Sequence, residues 1–277
     1  YKTVFYEPVR KLIYKFVIIG KKIYSTNIMN PKIISIEGNI GSGKSTIVHN
    51  LEKKLQHDKK YVFLREPVDI WQTIKDTYGK TILEKFYQNP EKYAFAFQVM
   101  AYATRSAILQ EAIRNNPDCK YILCERSLEA DNQIFAKMLN DDNKMESVEY
   151  EIYEYFYKTR KQDMDLDAVI YIDADATVCL NRIKKRDRNG ETNISLDYLQ
   201  SCKDYHDNWL LDNKESNYDF VINSNYVEKL DIYSTCNLEK LKILYINANH
   251  NASYNAEDKN DIGNKWLTII QDYIDCL

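Results

Sequence analysis

Residues 35–46 read SIEGNIGSGKST, and this stretch decides the fold. A strand-like run, Lys32-Ile33-Ile34-Ser35-Ile36-Glu37, leads into it, and a helix-like stretch, Thr46 to Leu55, leads away. Glycines at the two ends of Gly38-Asn39-Ile40-Gly41-Ser42-Gly43-Lys44-Ser45 match the G-x-x-x-x-G-K-[ST] spacing of a phosphate-binding loop in its strand-to-helix setting. Backbone N–H groups must turn inward around phosphate oxygens, and a Cβ at Gly38 or Gly43 is expected to block that approach. Lys44 supplies a point charge to the outer phosphates, and Ser45 offers a hydroxyl to Mg²⁺. The helix that begins near Thr46 aims its positive end at the anion.

Further strand signals follow at Tyr61 to Arg65, Tyr121 to Cys124, Ala168 to Asp173 and Lys242 to Asn247, with helical stretches between them. Such alternation predicts an α/β fold, a five-stranded parallel sheet with helices on both faces. The helix-rich region Trp71 to Asn116 contains Asn89-Pro90, which reads as a helix start. Helices are also expected over Met145 to Gln162, Thr177 to Lys185 and Ser195 to Leu211. Lys214 to Leu238 has no clear period and reads as an insertion. No repeat or low-complexity linker divides the chain, so one domain is expected over residues 29–277.

Residues 1–28 stand apart, with six Lys or Arg against one acid and Met29 just beyond. Their longest apolar run, Phe16 to Ile19, is far too short to span a bilayer. A packed extension, or sequence upstream of a start at Met29, is preferred here to a targeting segment.

The 277 residues carry a net charge of −3 with 44% hydrophobic residues, enough for a sizeable core. No overall positive field favours nucleic acid, so an anionic substrate would depend on individually placed arginines. Six cysteines lack any C-x-x-C spacing, which argues against a zinc site or a disulfide framework and for a reduced, cytoplasmic setting.

Ligands of an open α/β sheet collect at the carboxyl ends of its strands. REPVDIW, residues 65–71, ends the second strand and places Glu66 where it could take a proton from an attacking hydroxyl. CERS, residues 124–127, brings a carboxylate and a guanidinium to the same edge. FYQNPEKYAFAFQVMAYATR, residues 86–105, offers Tyr87, Phe97, Gln98 and Arg105 as walls of a pocket, although aromatics at helical spacing are most often core.

Together these stretches resemble the deoxynucleoside kinases of the deoxycytidine, deoxyguanosine and mitochondrial thymidine kinase type. The resemblance rests on EGNIGSGKST, REPVDIW, FYQNPEKYAFAFQ, ERSLEADNQIFA, LDAVIYIDADATVCLNRIKKRDRNGE and LDYLQSCKDYHDNWL in order, and it covers most of the chain. It implies a P-loop kinase that moves a phosphoryl group from ATP or another NTP to a deoxynucleoside 5′-hydroxyl, with Mg²⁺. Glu66 then matches the general base and Arg126 the arginine that holds it. Lys44 completes the catalytic set, and Glu125 and Ser45 match the metal-positioning pair. Trp71, Phe97 and Phe135 are expected around the nucleobase, with Gln98 hydrogen-bonded to its edge. Tyr87 and Glu191 match a pair that reads the sugar 3′-hydroxyl. RIKKRDR, residues 182–188, resembles an arginine-rich lid whose Arg182, Arg186 and Arg188 fold over the phosphoryl group.

Ala101, Arg105 and Asp131 match the set carried by deoxycytidine and deoxyguanosine kinases, and so favour deoxycytidine and purine deoxynucleosides. Met100, beside Ala101, would intrude if the register were one residue off. The segment after Asn247 departs from the family, which leaves the donor base open. The resemblance also implies a homodimer, in the cytoplasm or, were residues 1–28 a targeting segment, the mitochondrion. Thymidylate kinase shares the P-loop, the REP-like turn and the lid, but Trp71 and the Gln98 helix point away from it. A non-catalytic structural subunit of this family would lack Lys44, Glu66 or the Glu125-Arg126 pair, and all are present.

Overall fold

The computed structural model describes residues 30–160, 164–188, 190–211, 218–222, 241–255, 257–258 and 261–277. The basic extension 1–28 lies outside them, as does most of 214–238.

β1 (Lys32–Glu37) stands at the centre of a sheet ordered β2-β3-β1-β4-β6-β5, with β2 Tyr61–Leu64, β3 Tyr121–Glu125, β4 Ala168–Asp173, β5 Tyr218–Ile222 and β6 Lys242–Asn247. Every pairing is parallel. The five expected strands are all there. β5 adds a sixth at one edge, from a segment whose sequence carries no strand alternation and where the register slips between Tyr218 and Phe220.

A parallel sheet is buried on both faces, and the residues of β1 divide accordingly. Ile34 and Ile36 pack with α1 (Lys44–Leu55) and α10 (Ile262–Asp275) through Ile47, Leu51, Trp266 and Ile270. Ile33 turns to the other side, where Tyr102 and Leu109 of α4 (Pro90–Asn115) meet Tyr153 and Tyr157 of α7 (Ser147–Arg160). α4 starts where Asn89-Pro90 predicts, with the Asn89 side chain accepting from Lys92 N and Pro90 in the first turn. α2 (Val68–Thr73) and α3 (Ile82–Gln88) lie between β2 and α4, and a Thr81/Glu84 capping box fixes the start of α3. Beyond β3 the chain forms α5 (Leu128–Ala130), a π-helical turn (Asp131–Ala136) and α6 (Lys137–Asp141). α8 (Ala176–Arg186) and α9 (Leu196–Leu210) follow β4. The carboxyl ends of β1, β2 and β3 thus open on one side, over a single cleft.

Candidate active site

The cleft is about 470 Å³ and joins two unlike ends. Ile40, Gly41, Ser42, Gly43, Lys44, Ser45 and Thr46 form one. Gly38 and Asn39 do not line it. Gly38 sits with φ 144 against the Ile172 carbonyl of β4, where a Cβ would collide with backbone, so packing against the sheet demands its glycine. Gly43, with φ 110, has nothing within 4 Å of a built Cβ; its glycine answers to backbone conformation. Asn39 is buried and ties the loop to α9 by donating to Leu199 O at 2.8 Å. Lys44 Nζ donates to the Gly38 and Asn39 carbonyls at 2.9 and 2.8 Å. Burial and the nearby Arg126 lower the ammonium to about 8, against the pull of Glu125, Glu66 and Glu37.

The other end is lined by Trp71, Leu83, Phe86, Phe97, Ala101 and Phe135 around a few polar groups. Trp71 and Phe97 meet edge to face at 5.3 Å, and Phe97 stacks on Phe86 at 4.8 Å. Trp71 is set by its indole N–H, which donates to Thr104 Oγ1 at 3.0 Å. Gln98, Ala101 and Arg105 line the cleft from one face of α4, whereas Met100 does not line it and packs against the cluster that holds Trp71, Phe86 and Phe97. Phe135 closes the wall beside Asp131, and the Arg126 guanidinium lies 4.5 Å over its ring. Gln98 Oε1 and Arg126 Nη1 are buried with no hydrogen-bond partner among the described residues.

Charged groups connect the two ends. Arg105 donates through Nη2 to Glu66 Oε1 at 2.7 Å and through Nε to Asp131 Oδ2 at 3.0 Å. Arg126 Nε stands farther from Glu66, at 3.5 Å. The arginine closest to Glu66 is therefore Arg105, which the sequence assigns to Asp131 alone. Ser45 Oγ donates to Glu125 Oε1, and Glu66 N reaches Glu125 Oε2 at 3.5 Å. Burial pushes the Glu66 carboxyl up, but Arg105, Arg126 and Lys44 outweigh it and hold the group at about 2. Asp131 goes the other way: burial lifts it to about 6 against the pull of Arg105 and Arg126.

The three arginines expected in a lid are engaged with protein groups. Arg182 donates to the carbonyls of Ser42, Ala248 and His250 at 2.9–3.0 Å, tying the P-loop to the segment after β6. Arg186 and Arg188 both pair with the buried Glu191. Tyr87 lines the same cleft, its ring 6.4 Å from that of Tyr198. Val68, Leu83, Phe86 and Tyr198 also face the cleft and escape sequence reading, because each sits at ordinary core spacing on its helix. At the P-loop end, His250, Asn251 and Tyr254 join the lining from the segment that departs from the family pattern, and Trp266 joins it from α10.

Hard-oxygen donors suit Mg²⁺, which keeps water and phosphate ligands, and the adjoining Ser45 hydroxyl and Glu125 carboxylate fit an ion that arrives with a nucleotide. Among the described residues no group of three His, Cys, Asp or Glu forms a self-sufficient cage.

A family model described as deoxynucleoside kinase matches residues 34–271. The chain is 34% identical to the deoxycytidine kinase of Homo sapiens over 212 residues, which is 69% of this chain and 80% of that protein. It is also 34% identical over 186 residues to the fowlpox virus protein named "Probable deoxycytidine kinase", covering 66% of this chain and 74% of that one. The mitochondrial deoxyguanosine kinase of Xenopus laevis matches more of the length at lower identity, 26% over 265 residues, or 89% of this chain and 92% of the relative.

Proposed function

The chain belongs to the deoxynucleoside kinase family and phosphorylates deoxynucleosides from a nucleoside triphosphate, and we propose that its preferred acceptors are deoxycytidine and the purine deoxynucleosides. One observation carries the proposal: Gln98 and the Arg105–Asp131 pair face the acceptor end of a cleft whose other end is the P-loop. Asp131 is an acceptor for an exocyclic amine. Thymine would present a carbonyl to it, acceptor against acceptor, with a methyl group crowding Arg105. A site of this kind rejects the ligand that leaves its buried polar groups unpaired.

In this reading Glu66, ionised at neutral pH, accepts the proton of the 5′-hydroxyl as the oxygen attacks the terminal phosphorus in line. Arg105 and Arg126 orient its carboxylate. Ser45 and Glu125 would hold Mg²⁺, which supplies charge neutralisation on the triphosphate when bound. Lys44 exchanges its two loop carbonyls for phosphate oxygens. Arg186 and Arg188 leave Glu191 to meet the transferring group, and the freed carboxylate faces the sugar 3′-hydroxyl with Tyr87. Bringing these arginines over the donor also excludes water from the reaction.

The kinase domain is taken as residues 29–277 and the active form as a homodimer. The second copy is supported by an apolar stripe on α7, where Val148, Ile152, Tyr155 and Phe156 are exposed together. No helix among the described residues is long and apolar enough to cross a membrane. A cytoplasmic setting is proposed from composition; the alternative is mitochondrial, as the name of the Xenopus relative prints.

The test is to incubate purified protein with MgATP and each of the four deoxynucleosides and their monophosphates. Deoxycytidine and purine deoxynucleoside monophosphates are the expected products. Thymidine phosphorylated faster than deoxycytidine would overturn the assignment of Asp131, and phosphorylation of dTMP in preference to any nucleoside would favour thymidylate kinase chemistry.

A further inference from the structure

Glu37 ends β1 wholly buried, at the point where the sheet gives way to the P-loop. Its Oε1 accepts three donors: Ser35 Oγ at 2.8 Å, Ser127 N at 2.8 Å and Ser127 Oγ at 2.6 Å. Its Oε2 has no hydrogen-bond partner among the described residues. Taking a carboxylate out of water is costly, so what it holds deserves an account. What it holds is the turn that follows β3.

That turn contains Arg126 at φ 73, a left-handed conformation that residues other than glycine avoid. Two consecutive amides keep it there. Arg126 N donates to Ile36 O at 3.1 Å, the last rung between β1 and β3. Ser127 N, which the left-handed turn has carried out of the ladder, donates to the Glu37 side chain. The carboxylate therefore stands in for the next rung of the sheet. Ser127 Oγ in turn accepts from Ala130 N, which fixes the start of α5 and of the helical segment bearing Asp131 and Phe135. With both amides fixed, the Arg126 side chain emerges over Phe135 and beside Glu66, and the Glu125 side chain emerges toward Ser45.

We propose that Glu37 is a positioning residue for phosphoryl transfer: by clamping Ser127 it holds the strained Arg126 turn and so aims Arg126 at the reacting groups. Glu37 itself does not line the cleft. The proposal rests on the reading above in which Arg126 acts in catalysis, and it requires the loss of Glu37 to be felt through Arg126.

A double-mutant cycle on the full chain tests this, with variants Glu37→Leu, Glu37→Gln, Arg126→Ala and the pair Glu37→Leu/Arg126→Ala. Glu37→Leu keeps bulk but cannot accept a hydrogen bond, and kcat is expected to fall by about 10- to 100-fold, the effect of misaligning a reacting group. KM for deoxycytidine and for ATP should each stay within about threefold, because Glu37 itself lines no part of the cleft. Glu37→Gln retains an acceptor for Ser127 and should restore kcat to within about threefold of the parent. In the Arg126→Ala background, Glu37→Leu should cost no more than about a further threefold. Additive losses, or a raised KM with kcat intact, would overturn the proposal. A silent Arg126→Ala would instead overturn the role of Arg126 itself, whatever Glu37 does. Should the leucine variant not fold, Glu37→Asp, which withdraws the oxygen by one methylene, takes its place in the same cycle with the same criteria.

Discussion

Glu66 and Asp131 share one guanidinium and titrate in opposite directions. Glu66 is held at about 2 despite its burial, so it is in the ionised form a proton acceptor requires through the neutral range, at the cost of basicity. Glu66→Gln should leave deoxycytidine binding nearly intact by calorimetry while kcat falls by on the order of 10²–10⁴, the usual range for losing a general base. Turnover near that of the parent would remove Glu66 from the proton transfer. Asp131 is lifted to about 6, so acid protonates it before it protonates Glu66. The value of kcat/KM for deoxycytidine should therefore fall as pH drops through about 6, in a limb that disappears in Asp131→Ala. Their effects on folding also oppose. Glu66 contributes stability above its ordinary value of 4.5, and the contribution is lost as pH falls toward about 2. Asp131 opposes folding above about 6, and that penalty is relieved as pH falls toward 3.8.

The P-loop was legible because its constraints are local: spacing, glycine and a flanking period can all be read in a dozen residues. Its two end glycines nevertheless serve different needs. Gly38→Ala would drive a Cβ into the Ile172 carbonyl and should cost about 3–5 kcal/mol of unfolding free energy in a denaturant titration, among the larger effects of single substitutions. Gly43→Ala meets no neighbouring atom and should cost only its backbone strain, about 1–2 kcal/mol. Equal costs would show that contact with β4 does not decide the first position. The ERS turn was legible in composition but not in shape. Nothing in the order Glu125-Arg126-Ser127 announces a left-handed arginine, because the cause is a side chain from a strand about ninety residues earlier. The same holds for Arg105, whose second partner, Glu66, comes from another element altogether. Arg186 and Arg188 stand out in the sequence as part of a basic run, yet their pairing with Glu191 depends on how the turn after α8 folds back.

Five strands could be read from the sequence as largely continuous apolar runs, β2 at one edge included; β5, at the other edge, is interrupted by Asp219 and left only the short run Phe220-Val221-Ile222. Burial is likewise what makes α7 informative. Its inward face sets Tyr153 and Tyr157 against α4, the helix that carries Gln98 and Arg105. Its outward face repeats apolar residues at i, i+4, i+7 and i+8: Val148 is 59% exposed, Ile152 43%, Tyr155 68% and Phe156 45%. A stripe of four large apolar side chains on one face, rather than scattered singly, marks an association surface. A twofold axis would lay the stripe against its own copy, residue i of one protomer meeting residue j of its partner and the reverse. Wild-type protein should therefore sediment as a dimer at micromolar concentration. Ile152→Glu/Tyr155→Glu places carboxylates on both sides of that axis, where like charges across a desolvated interface cost several kcal/mol. The variant should sediment as a monomer at the same concentration. None of the four side chains lines the cleft, so the separated protomers should keep their preference for deoxycytidine over thymidine. A wild-type monomer, or a variant that remains dimeric, would place the interface elsewhere or remove it.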